Sequence, residues 1–341
     1  MLRLRSWFSS RIFNVNVYST PRRQQSRPPF GVTCVNFDAA VRGRSAESRD
    51  VKISFPVQKT SFPPQPSVKT SFNDKDRTIS ATFSPQPWDF DHTGAVPIWK
   101  VVCYTNMQWA DMHRHWFTPP QDEPPFVDLF FGRSLSIEFT RSFHDEIVPG
   151  CSLPYTLSIS KIGKTSMVFK LKILDANGKE VIAEDYRHCQ SVSSKTHRSQ
   201  PWAAWVSQRY PDLCAAPPVP IVEPYGHITA EPTFTYTVKV APSDMDLYRH
   251  APFYQYVRYC CDCAFHGAEQ GAYSIITGDA ARYRVKRVET LHQGQARAGD
   301  VLTVESWEDP EHPEVIRFQI KRGVDNITQC LLQFFTASSK M

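Results

Sequence analysis

The stretch VAPSDMDLYRHAPFYQYVRYCCDCAFHGAEQGA runs from Val240 to Ala272, and its reading decides the fold. It reads as a strand end, a polar turn carrying Asp244, Asp246 and His250, and then a long amphipathic helix. Phe253, Tyr256, Val257, Cys260, Cys261, Ala264, Phe265 and Ala268 recur at helical spacing. Pro252 suits a first helical turn and Gly271 a helix stop. Upstream, Phe234, Tyr236, Val238 and Val240 alternate with Thr235, Thr237 and Lys239, which is strand spacing. Two carboxylates and an imidazole therefore stand where a strand hands over to a helix N-terminus. Backbone N–H groups there can stabilise developing negative charge.

The whole chain has 341 residues, enough for two ordinary domains, and its 41% hydrophobic content supports a packed core. Nine irregularly spaced cysteines argue against a disulfide framework and fit a reducing compartment. No apolar run is long enough to span a membrane. Residues 1–28 carry Arg3, Arg5, Arg11, Arg22, Arg23 and Arg27, and no acid occurs before Asp38. Leu2, Leu4, Trp7, Phe8, Ile12 and Phe13 can form an apolar face beside them. That is the pattern of a mitochondrial presequence; a basic tail is the plainer alternative. Without those arginines the formal charge of +5 turns slightly negative. The basic pI thus belongs to the leader, and no nucleic-acid partner is expected.

Residues 29–96 read as a Pro/Ser-rich, low-complexity linker, in which Val57–Phe62 nearly repeats as Val68–Phe72. A first domain follows at 97–195, with strands expected at Lys100–Thr105, Ser134–Thr140, around Leu153–Ile159 and around Phe169–Ile173. Asn177-Gly178 is a hairpin signal. Residues 196–230 form a Pro-rich connection, and 231–341 a second domain. Its helix is followed by expected strands at Tyr283–Val288, Val301–Trp307, Val315–Lys321 and Thr328–Phe335. The two domains read as copies. Asp111-Met112-His113-Arg114-His115 matches Asp246-Leu247-Tyr248-Arg249-His250, Gly150 matches Gly299, and Asn177-Gly178 matches Asp325-Asn326. Pro119, Pro120, Pro124 and Pro125 interrupt the segment after His115, so the first copy's helix must be short or broken.

Ser243-Asp244-Met245-Asp246, then His250, Phe253-Tyr254 and Tyr256-Val257-Arg258-Tyr259, resembles the start of the central helix in hot-dog-fold thioesterases of the 4-hydroxybenzoyl-CoA thioesterase type. The resemblance implies an α+β fold of two tandem hot-dog domains. Each would be a curved antiparallel sheet around a central helix, the pair packing as an internal pseudo-dimer and leaving further homo-oligomers open. It implies hydrolysis of an acyl thioester, on CoA or on an acyl-carrier protein, in the groove between the copies. Asp246 then falls on the family's catalytic carboxylate, as general base or nucleophile, with the helix N-terminus as oxyanion site. As a plain turn residue, Asp246 would instead cap the helix. His250 would contact the thioester or orient Asp246, and Asp244 would order the loop. Asp111 and His115 would line the substrate site from the first copy. The family often has Asn just after the His, where this chain has Ala251 and Pro252.

Arg282, Arg284 and Lys286 alternate along an expected strand, a spacing that suits the phosphates of coenzyme A or phosphopantetheine, or else a solvated outer face. Cys260, Cys263 and His266 lack a second ligand pair, so no metal and no cofactor are expected. There is no Gly-x-Ser-x-Gly for a serine hydrolase. Two rival functions differ in kind. One is a non-catalytic acyl-thioester-binding or scaffold protein. The other is a hot-dog hydratase, whose Asp-x-Asn-Pro-x-His pattern the Asp246–His250 spacing does not fit.

Overall fold

The computed structural model describes residues 71–73, 77–106, 116–121, 123, 129–196, 198–219, 221–226, 228, 230–246 and 248–336. All of them belong to one compact unit, Phe62–Met341. The presequence, most of the linker, and Asp111 and His115 lie outside the described residues.

Strand alternation in the sequence is realised as a single antiparallel sheet. In chain order its strands are β1 (Ser71–Asn73), β2 (Thr78–Phe83), β3 (Leu129–Phe139), β4 (Leu153–Ile162), β5 (Ser166–Leu174), β6 (Val181–Val192), β7 (Phe234–Lys239), β8 (Val285–His292), β9 (Val301–Glu308), β10 (Val315–Arg322) and β11 (Asp325–Phe334). The spatial order is β1-β2-β4-β5-β6-β3-β8-β11-β10-β9-β7. Leaving aside the short edge strand β1, each half counted inward has one order: β2-β4-β5-β6-β3 on one side and β7-β9-β10-β11-β8 on the other. The halves join where β3 pairs with β8, Ile137 opposite Val288 and Leu135 opposite Thr290.

Among the described residues these helices accompany the sheet: α1 (Ile98–Asn106), α2 (Arg141–Glu146), α3 (Ala204–Arg209), α4 (Pro211–Ala215) and α5 (Phe253–Glu269). The long α5 buries Tyr256, Val257, Cys260, Ala264 and Ala268 of the helical row read from the sequence, together with Tyr259 and Cys263, while Phe253, Cys261 and Phe265 of that row are half-buried. It packs on the second half of the sheet and against α1. Cys260 and Cys263 sit fully buried in this core, where burial pushes both thiols up, Cys263 to about 12. Among the described residues no helix is long and apolar enough to cross a membrane.

Three expectations change. Lys100–Thr105 is helix, not strand: Ile98, Val101, Val102 and Thr105 are buried at helical spacing and Pro97 precedes the first turn. The first structural half begins before residue 97, because β2 buries Ile79, Ala81 and Phe83 on alternate positions inside the supposed linker. The β10–β11 turn is Gly323-Val324, with Gly323 at φ +59°, rather than Asp325-Asn326, which already belong to β11. The matched pair Gly150 and Gly299 does adopt matching backbone, at φ +87° and +94°, just ahead of β4 and β9.

Candidate active site

The turn between β7 and α5 is built from its own carboxylates. After Val240, residues Pro242–Asp244 form one 3-10 turn. Asp244 is buried and fully engaged. Its Oδ2 accepts from Ala241 N–H and the Tyr259 hydroxyl, both at 2.9 Å, and its Oδ1 accepts from Arg258 Nη2 at 2.8 Å. Burial pushes the carboxyl up, but these donors outweigh it, and the net shift is downward. Asp244 thus fastens the turn to α5.

Asp246 is differently placed. Its Oδ1 accepts from Tyr248 N–H at 2.8 Å and lies 3.5 Å from His250 N. Its own N–H donates to His250 O at 3.0 Å, and Arg249 N–H donates to Asp246 O at 3.0 Å. Oδ2 faces His250 Nδ1 at 3.2 Å, within ion-pair range although the ring nitrogen makes no aligned hydrogen bond. Asp246 is 26% exposed and His250 12%. Burial pulls the imidazole down; the Asp246 carboxylate more than compensates, and the net shift is upward. A partly exposed pair of this kind contributes only about 0–1 kcal/mol to stability. Stability therefore does not account for its position at a helix start.

The N-cap of α5 is Pro252, which offers no side-chain acceptor, so the first-turn N–H groups are not closed by a side-chain cap. Around this opening stand Tyr254, already part of the quoted motif, and Phe131 and Arg187, which the sequence did not single out. Phe131 on β3 lies 5.7 Å, ring to ring, from His250 and brings the other half of the sheet to the site. Tyr254, in the first turn of α5, has its hydroxyl pushed up to about 12, first by burial, then by Cys103 and the charge of Asp246. The Arg187 guanidinium lies 4.7 Å over the Phe253 ring. Arg187 also donates from Nη2 to Asp185 Oδ2 and to Thr105 Oγ1, both at 2.8 Å. These three line a small cavity with Leu157, Phe169 and Leu171, of about 10 Å³, room for one water molecule. Burial pushes the Asp185 carboxyl up despite Arg187. These residues carry no local motif; long-range strand pairing brings them together.

A second copy of the turn lies between β2 and α1. Asp89 Oδ2 accepts from Gln86 N–H at 2.7 Å and from the Tyr104 hydroxyl, as Asp244 does from Ala241 and Tyr259. Asp91 N–H donates to Ala95 O at 2.9 Å and Gly94 N–H to Asp91 O at 3.0 Å. Asp91 Oδ1 accepts from Thr93 N–H (2.8 Å), Thr93 Oγ1 (2.6 Å) and Ala95 N–H (3.3 Å). Asp89, Asp91, Gly94, Pro97 and Tyr104 thus correspond to Asp244, Asp246, Arg249, Pro252 and Tyr259 at one constant offset. Among the described residues the turn that resembles that of Asp246 is the one holding Asp91; Asp111–His115, which the sequence matched to Asp246–His250, lie outside the described residues. The signal was present, as Asp-x-Asp with a proline six residues on and a tyrosine seven further, but it sat in the supposed linker. The copies diverge at one decisive place: Ala95 stands where the second has His250.

The expected basic row is also rearranged. Arg282 belongs to a 3-10 turn and pairs with Asp279 at 3.2 Å, Arg284 pairs with Asp145 at 2.5 Å, and only Lys286 lies on β8, exposed. Two of the three charges are already matched, and the row does not share one strand face.

Comparison with known proteins shows the fold. The chain has the hot-dog fold of acyl thioesterases. Solved structures with this fold include an acyl-ACP thioesterase from Bacteroides thetaiotaomicron, with 15% identity over 77% of this chain and 100% of that one and a TM-score of 0.56. Another is the 12:0-ACP thioesterase from Umbellularia californica, with 8% identity over 76% and 94% and a TM-score of 0.60. No family model matches the sequence, and no curated protein does.

Proposed function

We propose that the protein is an acyl thioesterase made of two hot-dog units in tandem, with one working site at Asp246. The observation that carries this reading is the difference between two equivalent turns. Both hold an aspartate in the same backbone geometry, yet only Asp246 has a histidine against its second oxygen and opens on the uncapped start of a long helix. The shared strand order of the two halves supports the tandem arrangement.

In the reaction, Asp246 Oδ2 takes a proton from water as the water oxygen attacks the thioester carbonyl carbon. The carbonyl oxygen becomes an oxyanion and accepts hydrogen bonds from first-turn N–H groups of α5. Collapse breaks the C–S bond, and the leaving thiolate recovers the proton from Asp246. His250 holds the carboxylate in register throughout. Attack by Asp246 itself, through an anhydride, uses the same geometry.

Hydrolysis of a panel of acyl-CoA and acyl-carrier-protein thioesters by the purified chain tests the reading. Turnover of at least one series is expected. Tight binding of these esters without turnover would return the protein to the non-catalytic class that Ala251 and Pro252 suggest. The Arg-rich leader supports a mitochondrial location; a reporter fused after Pro28 should be imported, and a diffuse signal would count against that location.

A further inference from the structure

We infer that Arg187, on the first half of the sheet, is a positioning residue for the Asp246 site: braced by Asp185 and Thr105, it fixes the first turn of α5 through the ring of Phe253; this rests on the hydrolase reading above, in which first-turn N–H groups receive the oxyanion. The two halves supply the comparison. Thr105 and Cys260 stand at the same place, one residue beyond the tyrosine that ties each helix to its turn. Arg187 pairs with Phe169 of β5 and Leu135 of β3, and Cys330 pairs with Phe318 of β10 and Thr290 of β8, the matching strands. In the second half Cys260 meets Cys330, two buried thiols. In the first half Thr105 meets Arg187, and the same contact between helix and sheet holds a charge.

Arg187 is 6% exposed and Asp185 2%. Arg187 Nη2 donates to Asp185 Oδ2 and Thr105 Oγ1, both at 2.8 Å, and Nη1 donates to Thr105 O at 3.3 Å. Taking two charges out of water costs about as much as their attraction returns, and apolar side chains in the same place are often as stable or more so. The second half builds this place without charge. Stability therefore does not account for the pair, and direction does. The fork, held on two sides, lies 4.7 Å over the ring of Phe253, the first residue of α5. The ring of His292 on β8 lies 6.0 Å from that of Phe253, and a Cβ on Gly132 of β3 would come within 3.7 Å of it. Phe131, the neighbour of Gly132, is the residue that packs on His250. Phe253 is thus held by strands of both halves. Pro252 before it supplies no side-chain cap, so packing rather than a cap must aim the first-turn N–H groups. The place of Phe253 in α1 is taken by Ile98, which offers no ring to a cation. The first half thereby serves the working helix of the second.

The test compares the full chain with Arg187→Lys, Asp185→Leu/Arg187→Met and Phe253→Leu. Lysine keeps the charge but lacks the fork that reaches Asp185 and Thr105 together. The double variant replaces the pair by apolar side chains and should melt at or above the wild-type temperature. Phe253→Leu leaves the pair whole and removes the ring through which it acts, so it decides the matter should either arginine variant fail to fold. On the best thioester of the panel, kcat should fall about tenfold or more in all three, with KM within about twofold. The losses from Arg187→Lys and Phe253→Leu should not add when combined. Amides of Val257, Arg258 and Tyr259, whose helical acceptors are carbonyls at the start of α5, should exchange with solvent about tenfold faster in each variant. Wild-type kcat in a folded variant, additive losses, or unchanged amide exchange overturns the inference. Faster exchange in the variants of a chain that hydrolyses no ester would uphold the hold on α5 and sink the hydrolase; unchanged exchange with full wild-type turnover would sink the hold and leave the hydrolase intact.

Discussion

Asp246 and Asp91 are the same residue type in the same turn, and what separates them is company. Asp91 Oδ1 satisfies three donors from Thr93 and Ala95, the pattern of a residue that orders a loop. Asp246 has a second oxygen turned to an imidazole at 3.2 Å. Asp91→Ala should therefore lower stability by about 1–2 kcal/mol in chemical denaturation and leave kcat near wild type. A large fall in kcat at unchanged stability would show that the first turn takes part in catalysis. Sequence spacing alone put Asp246 and His250 together. Phe131 and the Asp185–Arg187 pair were illegible, because their nearness to α5 depends on how β3 and β6 pair across the sheet.

At the scale of elements, each turn is tied to its helix by a tyrosine: Tyr104 to Asp89 in α1, and Tyr259 to Asp244 in α5. Tyr259 is fully buried, and its hydroxyl bonds a charged acceptor. Tyr259→Phe should cost about 1–3 kcal/mol in urea denaturation, and it should lower kcat more than it raises KM because the turn is no longer fixed against the helix. A stable variant with wild-type kinetics would show that this bond does not position the site. The strands with clean alternation, such as β4 and β9, could be read from the chain. Helix α1 misled because Val101, Val102, Cys103 and Tyr104 have strand-like composition, while the deciding signal was the row Ile98, Val101, Val102, Thr105. Strand β2 was hidden by the Ser- and Pro-rich residues around it, since tertiary pairing with β4, not local composition, makes it a strand.

At the scale of the molecule, one sheet runs through both halves, and two histidines sit near the seam. His144 on α2 lies with Nε2 2.7 Å from Val285 O, among Phe139, Phe143 and Phe335. His292 on β8 is buried between Thr290 and Thr328, at 3.1 Å from each hydroxyl. Burial first of all pulls His144 down to about 4 and His292 to about 3. The unfolded chain protonates these imidazoles near pH 6.5, before the folded one does. Their contribution is thus complete above about pH 6.5 and lost as pH falls toward 4, by up to about 1.4 kcal/mol per pH unit for each group. His250 acts with the opposite sign: its raised value adds stability below about pH 6.5 that fades as pH rises through the folded value. Denaturation midpoints should therefore drop on acidification from pH 6.5 to 4.5, and His144→Gln should flatten that slope; a slope unchanged by the substitution would contradict the buried-imidazole account.

The central claim, one working site in two equivalent turns, is tested most directly by single-turnover hydrolysis of an acyl-CoA by Asp246→Asn and Asp91→Asn at matched stability. Asparagine keeps the shape and the turn's acceptor but removes the base. The chemical step should slow by about 100-fold or more in Asp246→Asn and stay near wild type in Asp91→Asn. Equal rates in the two variants, or a loss confined to Asp91→Asn, would contradict the account.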